Sequence, residues 1–218
     1  MIQSGDGTTV LIDTATEFRL QAVREGITRV DAVFFTHAHA DHVHGLDDLR
    51  PLGRYGPIPL YGSGPTVDEI RQRFSYIFSY SQEGGGKPNV NLSAIEAGKA
   101  VEAGSFRIIP VPVHHGSLEV FGYRAGNFAY LTDCSAIPET SFPLLEGVRF
   151  LVIDALRPRP HPTHFSFDEA IREIRRIGPE KAWFTHLSHD SDHSELSAML
   201  PEGIEAAWDG LSFDIRLL

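Results

Sequence analysis

The chain has 218 residues, 42% of them hydrophobic, which suffices for one large domain with a continuous core and leaves too little for two. Lys plus Arg number 19 against 29 Asp plus Glu, a formal net charge of −10, and the basic residues do not cluster, so no extended nucleic-acid partner is expected. One cysteine, Cys134, excludes an internal disulfide and a Cys-rich zinc ribbon; no apolar run approaches the ~18 residues of a membrane helix, and Met1-Ile2-Gln3-Ser4 lacks a signal pattern, so a cytoplasmic protein with no membrane partner is expected.

Residues 8–13 read as a strand, and residues 17–25 carry Phe18, Ala22 and Val23 at helical spacing before Gly26 stops the turn. Val30, Ala32, Val33, Phe34 and Phe35 predict a buried strand over 30–36, and 58–61 is a second short apolar run between Pro and Gly punctuation. Residues 66–80 put Val67, Ile70, Phe74, Ile77 and Phe78 on one helical face. Residues 82–88, with Gly84-Gly85-Gly86, predict a mobile loop able to serve as a lid. Three strands follow at hairpin spacing, over 106–113, 118–124 and 128–132, turning at Gly116 and at Gly126-Asn127. Strands over 149–154 and 182–185 flank a helix over 168–176, which Ser166 and Glu169 open at the spacing of a capping box. A last strand is expected over 211–217. Hairpins mixed with helices predict the α/β class, a sandwich of two sheets with helices outside, in a single domain over 1–218.

The densest chemistry lies at 34–42, Phe-Phe-Thr-His-Ala-His-Ala-Asp-His, a strand-to-helix junction holding three imidazoles and a carboxylate. Alternate side chains of an extended segment share a face, so His37 and His39 reach one ion. As the chain turns into a helix, Asp41 and His42 diverge toward a second position about 3.5–4 Å away, the usual separation of two catalytic metals. His114-His115, Asp133 and His186 each follow an apolar run directly, so the core anchors them while their head groups stay clear. A carboxylate bridges two cations readily, which singles out Asp133. Imidazole with carboxylate suits two divalent ions, zinc foremost, with manganese or iron compatible. Such ions supply Lewis acidity, a nucleophile at neutral pH and substrate placement, and Asp41 both ligates and orients the nucleophile.

These residues resemble the metallo-β-lactamase superfamily, whose signature His-x-His-x-Asp-His stands here as His37, His39, Asp41 and His42. Within it the chain is most similar to the phosphodiesterase branch that includes phosphoribosyl 1,2-cyclic phosphate phosphodiesterase, through residues 35–51, 115–133, 154–164 and 185–189. The resemblance implies an αββα sandwich of two mixed β-sheets with helices on the outer faces and, at the start of this chain, the N-terminal strand missing, which bears on the first sheet's edge and on an oligomer contact; a homodimer is one expected partner state. It implies that His37, His39, His115 and Asp133 hold one metal, and Asp41, His42, Asp133 and His186 the other. It matches Asp13 to an early Asp supporting the ligand loop, selects His115 over His114 as ligand, and gives His164 a catalytic place beside the metals, stabilising phosphoryl oxygens or protonating the leaving oxygen.

Several residues carry plainer readings. His114 reads as a packed or supporting imidazole, and His189 as a support or substrate contact that faces with His186 only if that segment is helical. Arg157 and Arg159 are placed to meet a substrate phosphate, yet arginines on loops are usually just exposed. His44, His161 and His193 read as surface or loop residues, Asp47 and Asp48 as a solvated or capping pair, and Cys134 as a small buried side chain. The function expected is a binuclear metal-dependent phosphodiesterase for a small anionic, even cyclic, diester. Alternatives are a thioesterase or lactonase on the same metals, a tRNA-processing nuclease, or a metal-stabilised binding module.

Overall fold

The computed structural model describes residues 1–79 and 86–215, and the chain divides into two compact units, Met1–Arg107 and Ile108–Leu218. Most of the glycine-rich loop expected over 82–88 lies outside the described residues.

The first unit is built on a five-stranded sheet, with β1 (Ile2–Gln3), β2 (Thr9–Ile12), β3 (Ala32–Phe34), β4 (Ile58–Gly62) and β5 (Val90–Ala94) side by side in that order. The β1–β2 pair is antiparallel and the other pairs are parallel, in the register Ile12↔Phe34 and Phe34↔Tyr61. Ala32, Val33 and Phe34 are all buried, as expected of a central parallel strand covered on both faces. Helix α1 (Phe18–Arg24) supplies Phe18 to a core that also holds Leu11, Val33, Phe35, Val43, Leu46, Leu60 and Ile70. A short helix α2 (Ala40–Val43) follows β3.

The helix expected over 66–80 is two helices, α3 (Gly64–Arg73) and α4 (Ser75–Phe78), broken at Phe74, where φ is −109° and ψ 36°. It starts early because Ser63 accepts the Thr66 N–H at 3.3 Å and Pro65 occupies the first turn, where its missing N–H is harmless.

A seven-stranded sheet adds β6 (Val101–Ala103), β7 (Phe106–His115), β8 (Leu118–Ala125), β9 (Phe128–Leu131), β10 (Phe150–Asp154), β11 (Lys181–Thr185) and β12 (Ile204–Ala206), in the order β12-β11-β10-β9-β8-β7-β6. Strands β7, β8 and β9 form antiparallel hairpins, and β9 to β12 run parallel. Both sheets are thus mixed, and the α/β class read from the sequence holds. In the second unit α5 (Phe142–Leu145), α6 (Phe167–Ile177) and α7 (His193–Met199) bring Leu145, Ala170, Ile174 and Leu196 into a core with Val111, Leu131, Leu151, Ile153 and Phe184.

Helix α6 opens on the capping box: Ser166 Oγ accepts the Glu169 N–H at 3.4 Å and Glu169 Oε2 accepts the Ser166 N–H at 2.8 Å. It ends at Gly178 with φ 71°. The strand expected over 211–217 is corrected: residues 211–215 carry no strand, and the edge is β12, paired parallel to Ala182–Phe184. Phe213 stacks on Trp183 instead, with ring centroids 4.0 Å apart, so its apolar character serves ring burial and not a ladder. Among the described residues no helix is long and apolar enough to cross a membrane.

Candidate metal centre

In the first unit the histidine motif lies just past the end of β3, and Asp13 just past the end of β2. Asp13 adopts φ 60°, a left-handed conformation that aspartate tolerates better than most residues. Turned this way, its carboxylate accepts the Thr36 N–H at 2.8 Å, the Thr36 hydroxyl at 2.8 Å and His42 Nδ1 at 2.7 Å. Since a carboxylate only accepts, the Thr36 proton points at Asp13, and His37 Nδ1, 3.0 Å from the same hydroxyl, donates to it. Both buried imidazoles therefore carry their proton on Nδ1 and keep the Nε2 lone pair for a ligand role. The rings cluster, with the His37 centroid 4.4 Å from His39 and 4.2 Å from His42. Asp41 Oδ2 lies 3.4 Å from His42 Nε2, and Asp41 and His39 are exposed.

The second unit repeats the device. Asp133 follows β9 at φ 51° and His186 follows β11 at φ 60°. With Asp13, these are the three non-glycine residues at positive φ among those described, and all three had been singled out from sequence. His115 Nδ1 lies 2.8 Å from the Thr163 carbonyl, which only accepts, so the ring proton is again on Nδ1 and the lone pair on Nε2. That Nε2 sits 3.9 Å from Asp133 Oδ2, and His186 Nε2 lies 3.3 Å from Asp133 Oδ1. One potential ligand atom from each of Asp133, Asp154, His164 and His186 falls within 4.8 Å of the others. Asp133 and His115 are buried and His186 is half-buried.

His164, also buried, stacks on His186 at 4.8 Å and 15° and meets His115 edge-on at 4.7 Å. Behind it lies Asp154, fully buried, whose Oδ1 is 3.3 Å from His164 Nδ1 while Oδ2 accepts the Phe165 N–H at 3.0 Å. Burial pushes the Asp154 carboxyl above the ordinary carboxylate range, and His164 pulls it back. Asp154 is a site residue beyond those expected from sequence, although it ends the apolar run Phe150-Leu-Val-Ile as Asp133 ends its own.

His114 pairs across the hairpin with Glu119 and alternates away from His115. The segment after His186 is not helical and His189 is exposed, so the condition for the two to share a face is not met. Arg157 donates to the Arg159 and Pro160 carbonyls at 3.4 and 3.2 Å and lies 3.9 Å from Asp190, which Arg159 also meets. These contacts staple the loop onto itself and onto the segment after β11. His161, expected on the surface or in a loop, lies in the loop after β10, half-buried, with its ring 5.2 Å from that of His164, and burial, then His164 and Arg157, hold it below the ordinary imidazole value. Burial likewise pushes the Cys134 thiol far up. Imidazole nitrogens and carboxylate oxygens on strand ends, with tautomers set from behind, are a donor set suited to divalent cations.

Comparison with known proteins gives three findings. The model of the beta-lactamase superfamily domain matches residues 8–187. An octanoyltransferase of Porphyromonas gingivalis is 35% identical over 213 residues, 97% of this chain but 43% of that protein, and a ribonuclease Z of Bradyrhizobium diazoefficiens is 29% identical over 54% of this chain and 40% of its own length. The chain thus spans under half the length of these two curated relatives. Among solved structures, a diphosphatase from the PhnP family superposes with a TM-score of 0.90 at 42% identity, covering 98% of this chain and 83% of that one.

Proposed function

Because the chain belongs to the beta-lactamase superfamily, we propose that it is a metal-dependent hydrolase of small phosphoryl esters, its matched region acting as one domain through both units. In this reading His37, His39, His115 and Asp133 hold one divalent ion and Asp41, His42, Asp133 and His186 a second, zinc being the best match to the donors and manganese or iron alternatives. The ions would supply Lewis acidity and a nucleophile available at neutral pH.

The observation that carries the reading is the tautomer-setting network. Asp13, Thr36 and the Thr163 carbonyl fix Nδ1–H on three histidines, which leaves three Nε2 lone pairs of one kind. The chain's own residues do the rest. Asp41, exposed, orients the attacking oxygen. His164, protonated on both nitrogens and backed by the Asp154 carboxylate, gives its Nε2 proton to the departing alkoxide and keeps the one on Nδ1, while Asp154 stabilises the ring in its charged form.

Phosphoryl chemistry is favoured over carbonyl chemistry by the diphosphatase likeness, which covers 98% of this chain and 83% of that one. The match to the octanoyltransferase covers 43% of that protein, and the single thiol of this chain, Cys134, is buried with its pKa pushed far up, so it does not serve as an acyl acceptor. The net charge of −10 disfavours an extended RNA substrate.

The test is a panel run with metal analysis: a cyclic phosphate, an aryl phosphodiester, a diphosphate diester, a thioester and a lactone. Turnover of one or more phosphoryl substrates with two bound ions per chain is expected. Turnover confined to the thioester or lactone, or full activity in metal-free protein, would overturn the proposal.

A further inference from the structure

We propose that His161 is a substrate-contact residue, offering its Nε2–H to a phosphoryl oxygen beside His164; the inference rests on the hydrolase reading and adds a residue to it. Three observations carry it, centred on the loop that follows β10.

The first is placement. The His161 ring is half-buried and lies 5.2 Å from the His164 ring at 48°, so it extends the row of imidazoles made by His115, His164 and His186.

The second is the tautomer. The Thr163 backbone N–H, which only donates, points at His161 Nδ1 at 3.4 Å, and the Thr163 hydroxyl lies 3.2 Å from the same nitrogen. Nδ1 is therefore the acceptor, and the neutral ring carries its proton on Nε2.

The third is the contrast with His164. Its Nδ1–H is committed to Asp154 at 3.3 Å, so neutral His164 presents only a lone pair on Nε2. Of the two neighbours, His161 alone offers a donor without first being protonated. A phosphoryl oxygen is an acceptor, and the donor it needs at neutral pH and above is the one His161 provides. Arg157 and Arg159, bound to loop carbonyls and Asp190, hold the loop in place, so the ring is set in position in advance.

Glutamine and asparagine separate this role from a structural one. Gln places an amide N–H near the Nε2 position, whereas Asn places an amide oxygen near Nδ1, where it can accept from Thr163. The experiment measures binding of inorganic phosphate to the zinc-loaded protein by titration calorimetry, with kcat/KM on the best phosphoryl substrate, for wild type, His161→Gln, His161→Asn and His161→Ala. Metal content is checked in each.

At unchanged metal content, Gln is expected to stay within about threefold of wild type while Asn and Ala weaken phosphate binding about tenfold to a hundredfold, the range of one hydrogen bond to a charged group. Loss in the Gln variant, or equal affinity in all four proteins, overturns the proposal; retention by Asn alone would make the ring a cap for Thr163. Should the panel find no phosphoryl turnover, the hydrolase reading fails by itself, and the phosphate titration still decides the role of His161.

Discussion

Replacing Asp154 by Asn tests the assignment of His164 most directly. Asp154 is fully buried and serves two donors, the Phe165 N–H at 3.0 Å and His164 Nδ1 at 3.3 Å. A carboxamide has one accepting oxygen, so in either orientation its NH2 group faces a donor. Either the Phe165 N–H is left unpaired, at about 1–3 kcal/mol of stability, or His164 turns to the tautomer with its proton on Nε2 and loses the anion that stabilises its charged form. The second outcome disfavours the doubly protonated ring that delivers the proton, an effect on the order of 10²–10⁴ in rate where the leaving group needs protonation. Nitrophenoxide leaves without a proton, whereas an alkoxide does not. The expected result is a fall in kcat/KM of at least about a hundredfold for an alkyl phosphodiester and of less than about tenfold for a 4-nitrophenyl one, at unchanged metal content. Urea denaturation reads the stability loss separately. An equal fall for both leaving groups would refute proton donation by His164 and reduce the Asp154–His164 pair to scaffolding.

Asp133→Ala removes the carboxylate whose two oxygens lie 3.9 Å from His115 and 3.3 Å from His186, and metal content and turnover are expected to vanish together; full metal content by elemental analysis would end its assignment as a bridge. Asp13→Ala deletes three hydrogen bonds behind the motif, and metal affinity, read by competition with a chelator, is expected to fall about tenfold to a hundredfold, with unchanged affinity as the contrary result. Gly45→Ala drives a methyl group into the Ala15 carbonyl and the Phe18 Cβ, so a loss of about 1–3 kcal/mol in urea unfolding is expected, and an unchanged midpoint would show that the 14–18 segment yields freely.

The legible parts of the sequence were those where one local rule acts alone. The apolar run ending at Phe35, the hairpins 106–132 and the capping box at Ser166 each carry a pattern that tertiary context does not alter. Strand β5, Val-Asn-Leu-Ser-Ala, escaped because a single side chain of the five, Leu92, is buried, so its backbone pairing has little apolar signature. The strand expected over 211–217 failed for the converse reason: alternating apolar residues satisfy the pattern, but Phe213 spends its apolar surface on the Trp183 ring. Phe74 breaks a helix whose apolar face continues through it, which periodicity cannot register. In the candidate site, rules for strand-end ligands found Asp133 and His186 and would have found Asp154 had they been applied to every strand. His161 was unreadable, since its meaning comes from Thr163 and from a ring three residues away folded back upon it.

The three left-handed residues suggest why strand ends serve as ligand positions. A side chain at the end of a strand follows the pleat, up or down, and a turn to positive φ swings it off that axis and over the strand's end. For a residue with a Cβ the turn costs about 1–2 kcal/mol, which a protein retains where the direction of the side chain is worth more than the strain. At Asp13 three hydrogen bonds offset it. At His186, with φ 60°, the reasoning gives an inverted ranking of two inactive variants. Alanine is ordinarily better than glycine by about 0.5–1 kcal/mol within regular structure, because glycine has more freedom to lose. In the left-handed region the order reverses, so His186→Gly is expected to be more stable than His186→Ala by about 1 kcal/mol in urea unfolding with chelator present, where lost ligation does not enter. An alanine variant at least as stable as the glycine one would show that the backbone there relaxes without cost, and that strain has no part in aiming the ring.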